Sequence, residues 1–141
     1  METLWGIELL LIVRVLMSAF LAVLFLQSGL DKVLDWRGNL AYITEHFAQS
    51  PLRAFPWPML AVVTVLEVAA GVAAAIGVAG LVFYGEPGWA FVGAALAALN
   101  LLLLFLGQRI AKEYGGAEIL ANYFVLTVIA MLVEGGFPIP R

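Results

Sequence analysis

Four long apolar runs leave this chain little freedom in what it can become. Leu4–Leu30, Met59–Tyr84, Trp89–Leu106 and Ile119–Val133 stand out against the roughly 20 residues a helix needs to cross the hydrocarbon core of a bilayer. The fourth is short by strict apolar count and reaches a full span when it begins near Gly116 and ends at Glu134. A soluble domain of 141 residues would need polar side chains to coat its surface, and a chain that is 64% hydrophobic and 12% charged does not contain enough of them. The expected fold is all-α: a transmembrane four-helix bundle, one integral membrane domain over 1–141, with spans near 4–34, 58–84, 88–110 and 116–134.

The breaks between runs carry helix-stop chemistry. Asp35-Trp36-Arg37-Gly38 follows the first, Gly85-Glu86-Pro87-Gly88 the second, Tyr114-Gly115-Gly116 the third and Gly135-Gly136-Phe137-Pro138 the last. The first run is read as a mature helix and not a signal peptide, because it lacks a basic leading segment and its apolar stretch is too long. Four crossings put both ends of the chain on one side. Lys32, Arg37, Arg53, Arg109 and Lys112 flank the loops after the first and third helices, against Arg141 alone opposite, so the positive-inside rule predicts both termini outside the cytoplasm.

Between the first two spans, Trp36–Pro58 is too long for a turn and too polar to cross. Leu40, Ile43 and Phe47 recur there at helical spacing, which predicts a short amphipathic helix on the cytoplasmic interface. Trp5, Trp36, Trp57, Tyr84 and Trp89 fall near span ends, where such rings settle at headgroup level. His46, in the interfacial segment, is expected to be solvated.

Few charges fall inside the spans. Counted from Trp5, Arg14 lies about 14 Å deep, and Glu67, counted from Pro58 at the other surface, falls at a similar level. An Arg14–Glu67 ion pair is therefore expected, either as part of a site or as a device that sets helix register. Glu67, Gly71, Ala74 and Ala75 share a face of small residues suited to close helix packing. Lys32 projects from the same side of its helix as Arg14, so a continuous polar seam is conceivable from Arg14 to Asp31 and Lys32. Glu118 and Asn122 are one turn apart on the fourth helix, and Asn100 stands alone in the third. Arg14, Glu67, Asp31, Lys32, Asn100, Glu118 and Asn122 are the candidate residues for a buried polar or ligand-binding site.

Several chemistries are excluded. With no Cys and one His, the chain alone supports neither thiolate catalysis nor an iron–sulfur, bis-imidazole haem or zinc site. No nucleophile, metal-ligand or phosphate-loop pattern occurs, so catalysis by the chain alone is not expected. Ten acidic and seven basic residues, without a basic run, argue against a nucleic-acid partner.

The run from Arg14 through Phe25-Leu-Gln-Ser-Gly-Leu-Asp-Lys32, then Leu66-Glu67-Val-Ala-Ala-Gly71, then Ile76-Gly77, resembles the DoxX family of small four-helix membrane proteins. It carries Arg14, Gly29, Lys32, Glu67, Gly71 and Gly77 onto family motif positions, and Gly107–Gly116 looks similar to a family hinge between helices three and four. The resemblance implies a prokaryotic inner-membrane protein associated with a membrane redox or respiratory complex, with a quinone or other lipid-soluble ligand as candidate cofactor and other membrane proteins as partners. The cysteine chemistry of some members is not open to this chain. Two further readings stand beside it: a non-catalytic accessory subunit of a larger membrane assembly, and a small transporter.

Overall fold

The computed structural model describes residues 2–136. The chain opens with a small hairpin, β1 Thr3–Leu4 and β2 Ile7–Glu8, in which Thr3 pairs with Glu8 and Leu4 with Ile7. Trp5 and Gly6 make its two-residue turn with φ of 51° and 82°, the positive pair that matches strand twist. The first helix therefore starts later than residue 4. An apolar Leu-Trp-Gly-Ile stretch has the hydropathy of a helical turn, but Gly6 favours the tight reversal.

Five helices follow: α1 Leu9–Leu34, α2 Trp36–His46, α3 Pro56–Tyr84, α4 Gly88–Ile110 and α5 Tyr114–Glu134. All but α2 are long and apolar enough to cross a membrane, and the chain is a multi-pass membrane protein. The stop after α1 is a single residue. Asp35 ends α1, donating its N–H to the Asp31 carbonyl, and its carboxylate accepts the Gly38 N–H at 3.2 Å to cap α2. Gly85, with φ 64°, closes α3 in the left-handed conformation, where its N–H bonds the Leu81 carbonyl and the Glu86 N–H bonds that of Gly80.

The third break lies two residues earlier than Tyr114-Gly115-Gly116 suggested. Lys112 takes the left-handed conformation at φ 60°, and α5 starts at Tyr114 with both glycines inside its first turn. The second break, Gly85–Gly88, falls where expected, while Phe137 and Pro138 lie outside the described residues.

In lipid there is no hydrophobic drive to bring helices together, so contact depends on how closely backbones approach. α3 supplies that approach on two sides. Toward α1, a Cβ on Gly71 would lie 2.7 Å from the Leu26 nitrogen, and one on Gly29 would lie 2.8 Å from Val68 Cγ2. Toward α4, a Cβ on Gly77 would lie 2.5 Å from the Ala90 backbone, and one on Gly93 would lie 2.7 Å from the Ala74 nitrogen. α5 joins this core from the α4 side. Leu21, Ala22 and Phe25 of α1, Ala70 and Ala74 of α3, Ala94, Ala97 and Leu101 of α4, and Ala130 of α5 form one buried apolar cluster.

Because the Ala90 backbone cannot retreat as a flexible side chain would, Gly77→Leu should force α3 and α4 apart. We expect a loss of about 1–3 kcal/mol, the range for overpacking a tight core, read as a lower unfolding midpoint in detergent. Val65→Leu, on the exposed side of α3, should leave the midpoint unchanged.

Candidate functional site

The interior charges do not pair as their counted depths suggested. Glu67 meets Lys32, whose Nζ lies 2.9 Å from Glu67 Oε2. The approach is an ion-pair contact without hydrogen-bond alignment, which leaves that oxygen short of a true donor. Lys32 Nζ also donates to Ser28 Oγ at 3.0 Å. The reason is register. With Leu26 against Gly71 and Gly29 against Val68, the last turn of α1 falls level with Glu67, and Arg14 falls near the far end of α3. Counting from Trp5 set Arg14 too deep, because the hairpin takes up residues before Leu9.

Arg14 instead fastens α1 to the last turn of α5. Its Nε and a terminal nitrogen both donate to the Val133 carbonyl at 3.1 Å, and Nε lies 3.8 Å from Glu134 Oε2. Ser18 Oγ donates to Glu134 Oε1 at 3.2 Å. A guanidinium suits the end of α5, where carbonyls lack helical partners and the helix dipole is negative. Glu134 and Ser18 were not anticipated. The signal was present in the sequence, since an acidic residue closing one span and a basic one opening another meet in an antiparallel bundle.

Asn100 belongs with Glu67. Ala74 and Gly93 face each other across the α3–α4 contact. About two helical turns toward the α2 end bring α3 to Glu67 and α4 to Asn100, each on the same face as its starting residue. Glu67 is buried, and Asn100 is fully buried with neither its Oδ1 nor its Nδ2 hydrogen-bonded. A buried amide with no partner costs on the order of 1–3 kcal/mol. Such a group points to an additional polar partner at this level.

One turn further toward the α2 end, Val63 and Leu104 line a cavity of about 570 Å³ between α2, α3 and α4. That volume suits a small organic ligand. Its walls are apolar, from Ile43 and Phe47 of α2, Phe55 and Met59 at the head of α3, and Leu103 and Leu106 of α4. Val62, Leu103 and Leu106 are also exposed toward the bilayer, so the cavity opens sideways into lipid. The polar lining is confined to a few groups: Lys32, Asn39, Tyr42, His46 and Gln108.

His46 is therefore not a merely solvated residue. Its Nε2 lies 2.9 Å from Gln108 Oε1, and its ring stacks on Tyr42 at 5.6 Å and meets Phe47 edge-on. Asn39, Tyr42, Ile43, His46 and Phe47 recur at helical spacing, and this wider face covers the cavity. Reading α2 by its apolar residues alone, as Leu40, Ile43 and Phe47, hid the polar half of that face.

Of the seven candidates, the structure gathers Lys32, Glu67 and Asn100. Asp31 stands outside on α1, its carboxylate 3.5 Å from Asn39 Nδ2. Arg14 is at the opposite end, and Glu118 and Asn122 are exposed on α5. The expected seam does not run through the bundle, because the apolar cluster around Leu21, Phe25 and Ala74 separates the two polar levels.

A multi-pass helical bundle with a laterally open cavity beside a lysine–glutamate pair is the class this fold defines. The chain belongs to the DoxX family, whose model, described as DoxX, matches residues 9–105, from the start of α1 to near the end of α4. No curated protein and no solved structure matches the chain.

Removing one partner of a buried ion pair strands the other, at a cost of about 3–5 kcal/mol. Glu67→Ala and Lys32→Ala should each show a loss of this order in unfolding in detergent. The double variant Lys32→Met/Glu67→Leu should recover most of it. Strict additivity of the two single changes would dispose of the pair.

Proposed function

We propose that this DoxX protein holds a neutral, lipid-soluble carbonyl compound of the quinone class in the cavity under α2, and that it works beside a membrane redox system. The observation that carries this reading is the cavity itself: apolar, open to the bilayer, and bearing at one end a lysine already neutralised by Glu67. A site of zero net charge in low dielectric favours a neutral acceptor over an anion such as a fatty acid, whose carboxylate would meet Glu67.

The residues present fit such a group. Lys32 lines the cavity, and its long bond to the Ser28 carbonyl at 3.4 Å is the one a ligand carbonyl would replace. His46 and Gln108 form a second polar point in the lining. Ile43, Phe47, Leu103 and Leu106 would pack against a ring and its apolar tail. A bound quinone supplies two-electron chemistry in a form that diffuses in the bilayer. The protein's own part is to orient the carbonyl, exclude water and keep a proton-bearing ammonium against it. With no cysteine in the chain, electrons would have to come from a partner. The accessory-subunit reading is compatible with that arrangement. The transporter reading is disfavoured, since the apolar cluster offers no polar path along the bundle axis.

Native mass spectrometry of the protein released from its own membranes should show a bound neutral lipid-soluble molecule. Ile43→Trp, which fills the cavity, should remove it. Titration with a short-chain quinone should quench tryptophan fluorescence, and Lys32→Met/Glu67→Leu should weaken binding about tenfold, the worth of roughly 1.4 kcal/mol. Absence of the bound molecule together with no saturable quenching would end this reading.

On the same reading the α2 end lies at the cytoplasmic face of a prokaryotic inner membrane, because Lys32, Arg37, Arg53, Arg109 and Lys112 gather at that end. Both termini then lie outside. In the cysteine-free background, a membrane-impermeant maleimide should label Glu86→Cys in intact cells and leave Gln49→Cys unlabelled. The reverse pattern would invert the topology.

A further inference from the structure

The polar groups of the cavity wall differ in what they still have to offer a ligand. His46 Nε2 lies 2.9 Å from Gln108 Oε1. An amide oxygen only accepts, so Nε2 carries the ring hydrogen, and in the neutral imidazole Nδ1 is then a bare acceptor. Gln108 does not supply a donor in its place. Its Nε2 is turned toward α5, where a Cβ on Gly116 would come within 3.1 Å of it. Asn39, two turns back along the same face of α2, is committed in the same sense. Its Nδ2 donates to the Asp35 carbonyl at 2.8 Å and approaches Asp31 Oδ2 at 3.5 Å, which places it beside Lys32's neighbour at the α1 end of the wall. What Asn39 has left is Oδ1, again an acceptor.

The Tyr42 hydroxyl can turn to give or to accept. Among the described residues of the wall, then, the charged donor is Lys32, and the groups fixed as acceptors are Asn39 Oδ1 and His46 Nδ1. A quinone-class ligand exists in two forms of nearly the same shape and opposite hydrogen-bonding sense. The oxidised dione carries two carbonyls and offers lone pairs alone, whereas each hydroxyl of the reduced diol both gives a hydrogen and accepts one. Against this wall a carbonyl answers Lys32 and nothing else, and toward α2 its lone pairs meet those of Asn39 and His46. A hydroxyl at the Lys32 end answers Lys32 with its oxygen and Asn39 with its hydrogen. A hydroxyl at the far end answers His46. A site with acceptors placed for a ligand hydroxyl rejects the analogue that lacks it, because its own polar groups are then left unpaired in apolar surroundings.

We infer that the cavity selects the reduced, dihydroxy form of its ligand over the oxidised dione, with His46 Nδ1 as the acceptor that makes the choice. This rests on the quinone-class reading of the cavity and adds to it the redox state that is held. Selective binding of the reduced form raises the midpoint potential of the bound couple, by about 30 mV for a tenfold preference and two electrons.

The test compares a decyl para-benzoquinone with its hydroquinone, each titrated anaerobically into the purified protein by calorimetry. We expect the hydroquinone to bind at least tenfold more tightly, and the potential of the bound couple to rise accordingly. His46→Phe keeps a ring to stack on Tyr42 and removes the acceptor, so it should bring the ratio of the two affinities close to one. Thr44→Ala, on an exposed position of α2 where the hydroxyl bonds its own helix, should keep the ratio. Equal affinities, a tighter dione, or a preference that survives His46→Phe would overturn the inference and leave the quinone-class reading standing. Saturable binding of neither form would overturn both.

Discussion

Everything in this bundle rests on the nearness of three backbones. α1 and α4 both touch α3 where side chains have been reduced to hydrogen or methyl, at Gly29, Gly71, Ala74, Gly77 and Gly93. Within lipid, dispersion contact is the main attraction between apolar helices, and it falls off steeply with distance. Once the backbones meet, register is no longer free. Sliding α1 by a residue would bring Leu26 into a different part of the α3 surface. This fixed register is what delivers Lys32 to Glu67 and Asn100 to the same level.

The polar groups then sort into two levels with a dry layer between. At the end that carries the chain termini, Arg14, Ser18 and Glu134 join α1 to the last turn of α5. This contact is a clasp. Its guanidinium is spent on a backbone carbonyl and a neighbouring carboxylate, and α5 has few other means of holding α1. At the other level, Glu67 Oε2 and both polar atoms of the Asn100 amide lack a hydrogen-bond partner, and they stand one turn from a cavity. Each level leaves one carboxylate oxygen without a hydrogen bond, Glu134 Oε2 at the first and Glu67 Oε2 at the second, so the unpartnered Asn100 amide and the adjoining cavity are why the second is the candidate site.

The four spans and the α2 segment are legible in the residues themselves. They are properties of single stretches of chain, set by hydropathy and helical period, and they appear where those signals lie. Helix ends are legible where glycine or proline dictates them, as at Gly85 and Pro87, and less so at Lys112, where an ordinary residue takes the left-handed turn. Pairing is not legible. Arg14 and Glu67 come out level only if the two helices enter the membrane at Trp5 and Pro58. The hairpin at residues 3–8 and the early start of α3 at Pro56 break that assumption.

Gln27 and Asn100 show the deeper reason. Both are amides within a few helical turns of mid-bilayer, and hydropathy treats them as near equals. Asn100 shares the α4 face that carries Gly93 and is fully buried, while Gln27 lies on the side of α1 opposite Ser18 and faces out. A soluble protein would reveal such a difference through amphipathic pattern, because outward positions would be polar. In a membrane both sides of a helix are apolar, and the contrast between inside and outside is carried by side-chain size. The small-residue stripes of α3 and α4 are therefore the inward-facing surfaces that can be read from the chain, and a polar residue can be assigned inward only where it shares such a stripe, as Glu67 does with Gly71 and Ala74 and Asn100 with Gly93 and Ala97.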